Sequence, residues 1–158
     1  MGDRVDAPPM DGRQSEAARA IMRGVRRLLG AHGFATLDEA PLPNGRRADI
    51  LALAPDGTFH IVEIKSCVAD FRADQKWPLY RECCDRLFFA VDLATPAAIL
   101  PDDTGLFIAD AYGATLMREA PEHRLAPATR KAMLTRFARL AAGRLYALHD
   151  PEWRGVAE

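Results

Sequence analysis

Asp49 and the run Glu63-Ile64-Lys65 are the residues whose types and spacing could do chemistry. Two carboxylates and an ammonium, brought side by side by a hairpin, could hold one divalent metal where a phosphodiester is cut. Magnesium takes oxygen ligands and stays partly hydrated. That suits the carboxylates of Asp49 and Glu63, a backbone carbonyl at Ile64, and waters or phosphate oxygens. Lys65 could then orient and help deprotonate the attacking water, or hold a phosphate oxygen. The alternative is a surface ion pair between Glu63 and Lys65, since alternating charges along a half-exposed strand are ordinary.

These residues meet only if the chain between them turns back. Arg47 to Ala54 reads as a strand, Pro55-Asp56-Gly57 as a turn and Thr58 to Lys65 as a second strand. Side chains alternate along a strand, so Glu63 and Lys65 share a face while Ile64 points away. Ahead of the hairpin, Ala18, Ile21, Met22, Val25, Leu28 and Leu29 follow the helical period. They predict a helix over 13–31 that Gly33 ends. Glu16 on that helix could look across at the hairpin, or be a carboxylate favoured by the helix dipole. Phe34 to Leu37 predicts a short strand, and Pro41 to Arg46 a polar loop. Arg46 and Arg47 at its end could contact phosphate or pair with a nearby carboxylate.

Beyond Lys65, Asp70 is a candidate cap for a helix starting near Phe71, and Asp74 a second cap before Pro78. The pattern predicts helical structure over 71–84, bent at the proline. Lys76 and Tyr80 would share one face if it runs through, Lys76 binding phosphate and Tyr80 positioning it. Arg72 and Gln75 belong to the same stretch. Trp77 reads as packing in preference to a base-stacking platform. Leu87 to Val91 predicts a buried strand, 95–103 a loop, and Gly105–Ala109 with Ala114–Arg118 two more strands. A closing helix over 127–148 would turn Ala128, Leu134, Phe137, Ala138, Leu140, Ala141 and Leu145 toward packing surfaces. The expected organisation is a flexible lead over 1–12, a single α/β domain over 13–150, and a tail over 151–158.

Composition permits an enzyme of this kind and removes other classes. A chain of 158 residues suits one domain burying roughly two-thirds of its unfolded surface, enough for a mixed sheet with covering helices. With 49% hydrophobic and 27% charged residues, it resembles neither a disordered nor a membrane protein. No membrane-spanning run or export signal stands out, so the cytoplasm is the expected compartment. Cys67, Cys83 and Cys84 make no disulfide framework and no zinc pattern, and read as small packing residues. A net charge of -1 argues against a generally basic nucleic-acid binder. The arginines of the first and last helices nevertheless permit a local phosphate-facing surface, or only an ordinary solvated helix face.

The stretches Arg46-Arg47-Ala48-Asp49-Ile50, Val62-Glu63-Ile64-Lys65-Ser66, Asp70 through Tyr80, Cys84 through Val91 and Thr104 through Asp110 resemble the MmcB-like DNA repair proteins, a branch of the PD-(D/E)XK nuclease superfamily. The resemblance covers most of the chain after the first dozen residues. It implies a restriction-endonuclease-like core with a central mixed β-sheet flanked by helices. It also implies metal-binding carboxylates at Asp49 and Glu63, a catalytic lysine at Lys65 and an additional helical glutamate at Glu16. Gln75 or Lys76 would stand where the helix after the catalytic strand contributes a polar residue. The superfamily's leading proline is absent, Ala48 standing before Asp49, a mild departure because the metal chemistry uses the carboxylate.

Three functions compete on this sequence. One is a magnesium- or manganese-dependent DNA endonuclease acting in repair on damaged or structured DNA, for which a homodimer would give a route to two-strand cleavage. Another is a DNA-binding repair accessory without nuclease activity of its own, working with other repair proteins. The third is a protein-interaction module using Trp77 or the final helix.

Overall fold

The computed structural model describes residues 12–154, with side chains from Glu16 onward. Residues 1–11 of the expected lead and 155–158 of the expected tail lie outside them, and Gly12, expected in the lead, begins the first helix. In chain order come α1 (Gly12–Ala31), β1 (Ala35–Pro41), β2 (Arg47–Leu53), β3 (Phe59–Ile64), α2 (Val68–Ala73), β4 (Arg86–Val91), β5 (Gly105–Ala109), β6 (Ala114–Arg118) and α3 (Pro127–His149). Short 3-10 turns occupy Trp77–Cys83 and Ala97–Ile99. The six strands form one mixed sheet in sequential order. The β2–β3 hairpin is antiparallel, β3, β4 and β5 run parallel, and β1 and β6 close the edges antiparallel. No helix among the described residues is long and apolar enough to cross a membrane.

Both faces of the sheet are covered, which is why its central strands read as continuous apolar runs. Ile21, Val25 and Leu29 of α1 pack against Ile50, Ala52, Val62, Phe88, Ala90 and Phe107. On the opposite face Leu51, Phe59, Ile61 and Leu87 meet Tyr80, Cys83, Cys84, Met133 and Phe137. Each large apolar side chain buried there contributes roughly 1.5–3 kcal/mol. Asp49, Glu63 and Lys65 belong by alternation to this second face, away from α1.

Close helix packing depends on Gly24, where a Cβ would lie 2.0 Å from the Asp110 carbonyl oxygen and 2.3 Å from that of Gly113. Backbone cannot yield cheaply. Gly24→Ala is therefore expected to destabilise by about 2–3 kcal/mol despite the better helix propensity of alanine. Gly30→Ala, on the same helix with nothing within 4 Å, is expected to stabilise by roughly 0.5–1 kcal/mol. Urea denaturation of the two variants checks the opposite signs.

Four local expectations need correction. The strand expected over 34–37 runs on to Pro41, because Leu37 and Ala40 are buried and the chain stays paired with β2. The bent helix expected over 71–84 is instead α2 followed by a break at 74–76 and a 3-10 turn. Asp74 causes the break: its Oδ1 accepts the Lys76 N–H at 3.0 Å and its Oδ2 accepts from Lys65 Nζ at 2.8 Å, so its side chain competes with helical bonding. Asp70 is not the cap but lies inside α2, accepting the Ser66 hydroxyl at 2.7 Å. In α3, Phe137 is buried and Leu140 and Ala141 pack partly, yet Ala128, Leu134, Ala138 and Leu145 are exposed. Only one narrow stripe, with Met133 at its centre, faces the sheet.

Candidate active site

The β2–β3 register pairs Ile50 with Val62, and one residue further it sets Asp49 opposite Glu63. There the two strands no longer exchange backbone bonds, and the side chains take the donors. Glu63 Oε1 accepts the Asp49 N–H at 3.1 Å, and Asp49 Oδ2 accepts the Ile64 N–H at 2.8 Å. Each carboxylate is thus pinned by the strand that carries the other. Lys65 follows on the same face, its N–H bonded to the Ala90 carbonyl at 3.0 Å, which holds its backbone in line with the parallel ladder.

Burial shapes the electrostatics. Glu63 is 3% exposed, and burial, reinforced by the Asp49 charge, pushes its carboxyl up to about 8. Asp49 is also raised, first by burial and less by Glu39. Lys65 Nζ forms its ion pair with Asp74 Oδ2 at 2.8 Å. Burial alone would raise the Asp74 carboxyl, but Lys65 and the Lys76 N–H outweigh it and hold the group below its ordinary value. Tyr80, next to Glu63, is pushed up to about 12 by burial and by that carboxylate, so it stays protonated and donates to the Arg47 carbonyl at 3.1 Å.

The raised Glu63 has a thermodynamic consequence. An acid whose folded value lies above its unfolded one costs stability once the unfolded chain would release its proton: nothing below 4.5, a growing penalty up to about 8, and all of it above. With chelator present, Glu63→Gln is expected to be more stable than the parent by on the order of 1–3 kcal/mol above that range, and about equal to it near pH 4. Thermal melts at the two ends test this. A gap that does not change with pH would contradict it.

Asp49 opens into a cleft of about 740 Å³ whose lining also includes Arg46, Arg47, Lys76 and Tyr80, while Glu63 and Lys65 stay buried and do not line it. The Arg46 guanidinium lies 5.7 Å from the Tyr80 ring centroid, and Arg47 Nε meets Glu39 Oε2 at 2.7 Å. Of the residues singled out in the sequence, Arg46, Arg47, Asp49, Lys76 and Tyr80 are brought together along this cleft, and Glu63 and Lys65 join them from the buried side, off its lining. Three are not. Glu16 is exposed on α1, on the opposite face of the sheet, and among the described residues no hydrogen bond or ion pair joins it to either carboxylate. Gln75 is exposed and donates to the Arg72 carbonyl at 3.0 Å, and Arg72 is exposed beside it. Trp77 is half-buried and packs edge-on to Phe89 with ring centroids 5.6 Å apart, as the packing reading expected.

Two acidic neighbours escaped the sequence reading. Asp74 was visible only as a cap, because nothing local says that a chain break would swing its carboxylate to Lys65. Glu39 lies opposite Asp49 in the β1–β2 register and has φ 46°, a conformation costly for a residue with a side chain. A strand ending at Leu37 left it unplaced.

A family model described as DNA repair protein MmcB-like matches residues 5–152. A solved structure, the SPO1766 protein of unknown function from Silicibacter pomeroyi, is 50% identical with a TM-score of 0.84, over 90% of this chain and 97% of that one. No functionally curated protein matches. With the model spanning nearly all of the chain, sheet, helices and cleft included, the protein belongs to the MmcB-like DNA repair family.

Proposed function

We propose that the chain is a metal-dependent DNA endonuclease of the PD-(D/E)XK kind, acting in repair. One observation carries this reading: Asp49 and Glu63 stand opposite each other with Lys65 on the same face, and Asp49 opens to a cleft whose cations are Arg46, Arg47 and Lys76. Burying two carboxylates against each other is costly unless a cation offsets it.

The donors suit magnesium or manganese. They are all oxygens, from Asp49, Glu63 and the Ile64 carbonyl, with no thiol or imidazole among them. No group of three or more histidine, cysteine or acidic residues among the described ones is placed to hold a metal. An all-oxygen donor set suits an ion keeping several waters more than a closed zinc cage. When bound, the ion would stabilise charge developing on the phosphate and lower the pKa of a coordinated water.

The residues of the chain do the rest. Arg46, Arg47 and Lys76 hold phosphates of the strand, and Tyr80 fixes the start of β2 through the Arg47 carbonyl. Lys65 donates to the attacking water or to a phosphate oxygen, oriented by Asp74. Damaged or structured DNA is the substrate we propose, in keeping with the family's repair description, and the number of strands cut tests whether two copies act together.

The test is a panel of labelled duplex, mismatched, branched, abasic and single-stranded DNAs with magnesium or manganese, using parent and Asp49→Ala. Metal-dependent products from the parent alone are expected. DNA bound but never cut would favour the accessory reading, which the cationic cleft also supports. In either case, alanine at both Arg46 and Arg47 is expected to reduce the slope of log affinity against log salt by roughly two for duplex DNA. An unchanged slope would take both arginines off the phosphates.

A further inference from the structure

The connection between β1 and β2 walls two concavities. Asn44 to Arg47 line the catalytic cleft, while Pro41 and Pro43, just before them, line a groove of about 1020 Å³ running along α3. The groove follows the helix from Ala128 to Ala147, about 28 Å at 1.5 Å per residue. It is the face left over when only a narrow stripe of α3 packs on the sheet.

Its charged lining is of one sign. Lys131, Arg136, Arg139 and Arg144 contribute cations, and among the described residues no carboxylate lines it. Arg136 and Arg144 lean across to the carbonyls of Pro41, Asp38 and Glu39, and Arg144 also pairs with Asp38 at 3.4 Å. Each guanidinium has five N–H donors, so these contacts leave others for a ligand. Lys131 and Arg139 are exposed, and neither makes a hydrogen bond or ion pair among the described residues. Trp153 also lines the groove, 46% exposed and edge-on to Tyr146 with centroids 5.0 Å apart.

We propose that this groove binds single-stranded nucleic acid, its phosphates meeting Lys131, Arg136, Arg139 and Arg144 and a base stacking on Trp153. The inference rests on the nuclease reading and deepens it, naming as substrate DNA with an unpaired strand leading into the cleft. Cations along a groove with an aromatic face are the features by which proteins hold single strands independently of sequence. A groove whose charged residues are all cationic favours a polyanion. The shared connection carries the same strand onward to Arg46, Arg47 and Lys76. A duplex is stiff and keeps its bases stacked inside, so it would offer Trp153 nothing to stack on.

The test uses fluorescence anisotropy with a labelled oligothymidylate and a hairpin duplex of equal length, in chelator so that nothing is cut. The full chain is compared with Lys131→Glu plus Arg139→Glu, and with Trp153→Phe. Oligothymidylate is expected to bind more tightly than the hairpin and to lose about tenfold or more in affinity in the charge-reversed variant. Tryptophan fluorescence should be quenched by the strand in the parent and much less in Trp153→Phe, where Trp77 remains. Equal affinity of parent and charge-reversed protein, or quenching by polyglutamate and not by oligothymidylate, would overturn the proposal. The second outcome would assign the groove to an acidic protein partner. Strand binding through the groove without cleavage of any DNA would sink the nuclease reading alone. Metal-dependent cleavage of duplex DNA without oligothymidylate binding would sink the groove alone.

Discussion

Lys65→Ala is expected to bind DNA like the parent and to cut it about a hundredfold to ten-thousandfold more slowly. The lysine is nearly buried, on the same face as Glu63, and its ammonium is held by Asp74 at 2.8 Å. Its position is set twice, by the backbone bond to Ala90 and by that ion pair. Preorganisation of this kind is what lets one donor act in the transition state without first paying to reorient. Asp74→Asn keeps the lysine and a hydrogen-bond acceptor but removes the charge that fixes it, so a smaller loss, about tenfold, is expected. Single-turnover cleavage with saturating enzyme separates chemistry from binding. Undiminished turnover in Lys65→Ala would leave the lysine a structural cation and return the Glu63 and Lys65 pattern to an ordinary strand.

Asp85→Asn is expected to cost about 3–5 kcal/mol of stability. The Asp85 side chain is fully buried, and both of its oxygens are occupied. Oδ2 accepts the Phe59 N–H at 2.7 Å and Arg130 at 2.9 Å, while Oδ1 accepts the Leu125 N–H at 2.9 Å and Arg130 at 2.6 Å. One carboxylate therefore ties the start of β3, the approach to α3 and the first turns of α3 together. An amide offers one oxygen and turns two hydrogens toward groups that also donate. The acid dependence follows from the same contacts. Burial alone would raise this carboxyl, but Arg130 and the two N–H groups outweigh burial and hold it below its ordinary value. Its contribution is complete above the unfolded value of about 4 and is lost as pH falls through the folded one. The stability gap between parent and Asp85→Asn should accordingly narrow below pH of about 4. A gap that persists undiminished there would mean that shape, not charge, holds the junction.

Much of the sheet could be read from the chain because turn residues punctuate it. Pro55-Asp56-Gly57 and Asp110 to Gly113 sit between apolar runs, and β5 and β6 begin and end where the pattern places them. The hairpin that sets Asp49 opposite Glu63 was legible for the same reason, whereas Lys76 and Tyr80 reach the cleft not along one continuous helix face but from the break at 74–76 and the 3-10 turn after it. Long-range pairing was not. Arg130 reads as one more solvated arginine until the fold places Asp85 beneath it, and Asp74 reads as a cap until the chain breaks there. The apolar residues of α3 suggested a broad packing face, but helical spacing cannot say how much of a helix the rest of the molecule will cover. Gly24 carried no signal, since the carbonyls it admits belong to a turn more than eighty residues away.

Where β2 and β3 part, the amides of Asp49 and Ile64 are bonded to carboxylates and not to a neighbouring strand's carbonyls. Their exchange with solvent deuterium thus reports the charge and position of Glu63 and Asp49, whereas the amides a residue further along the hairpin report only the ladder. Two backbone hydrogens act as a built-in gauge of the site: protonation of a carboxylate, or its recruitment by a ligand, changes their protection even when no strand moves.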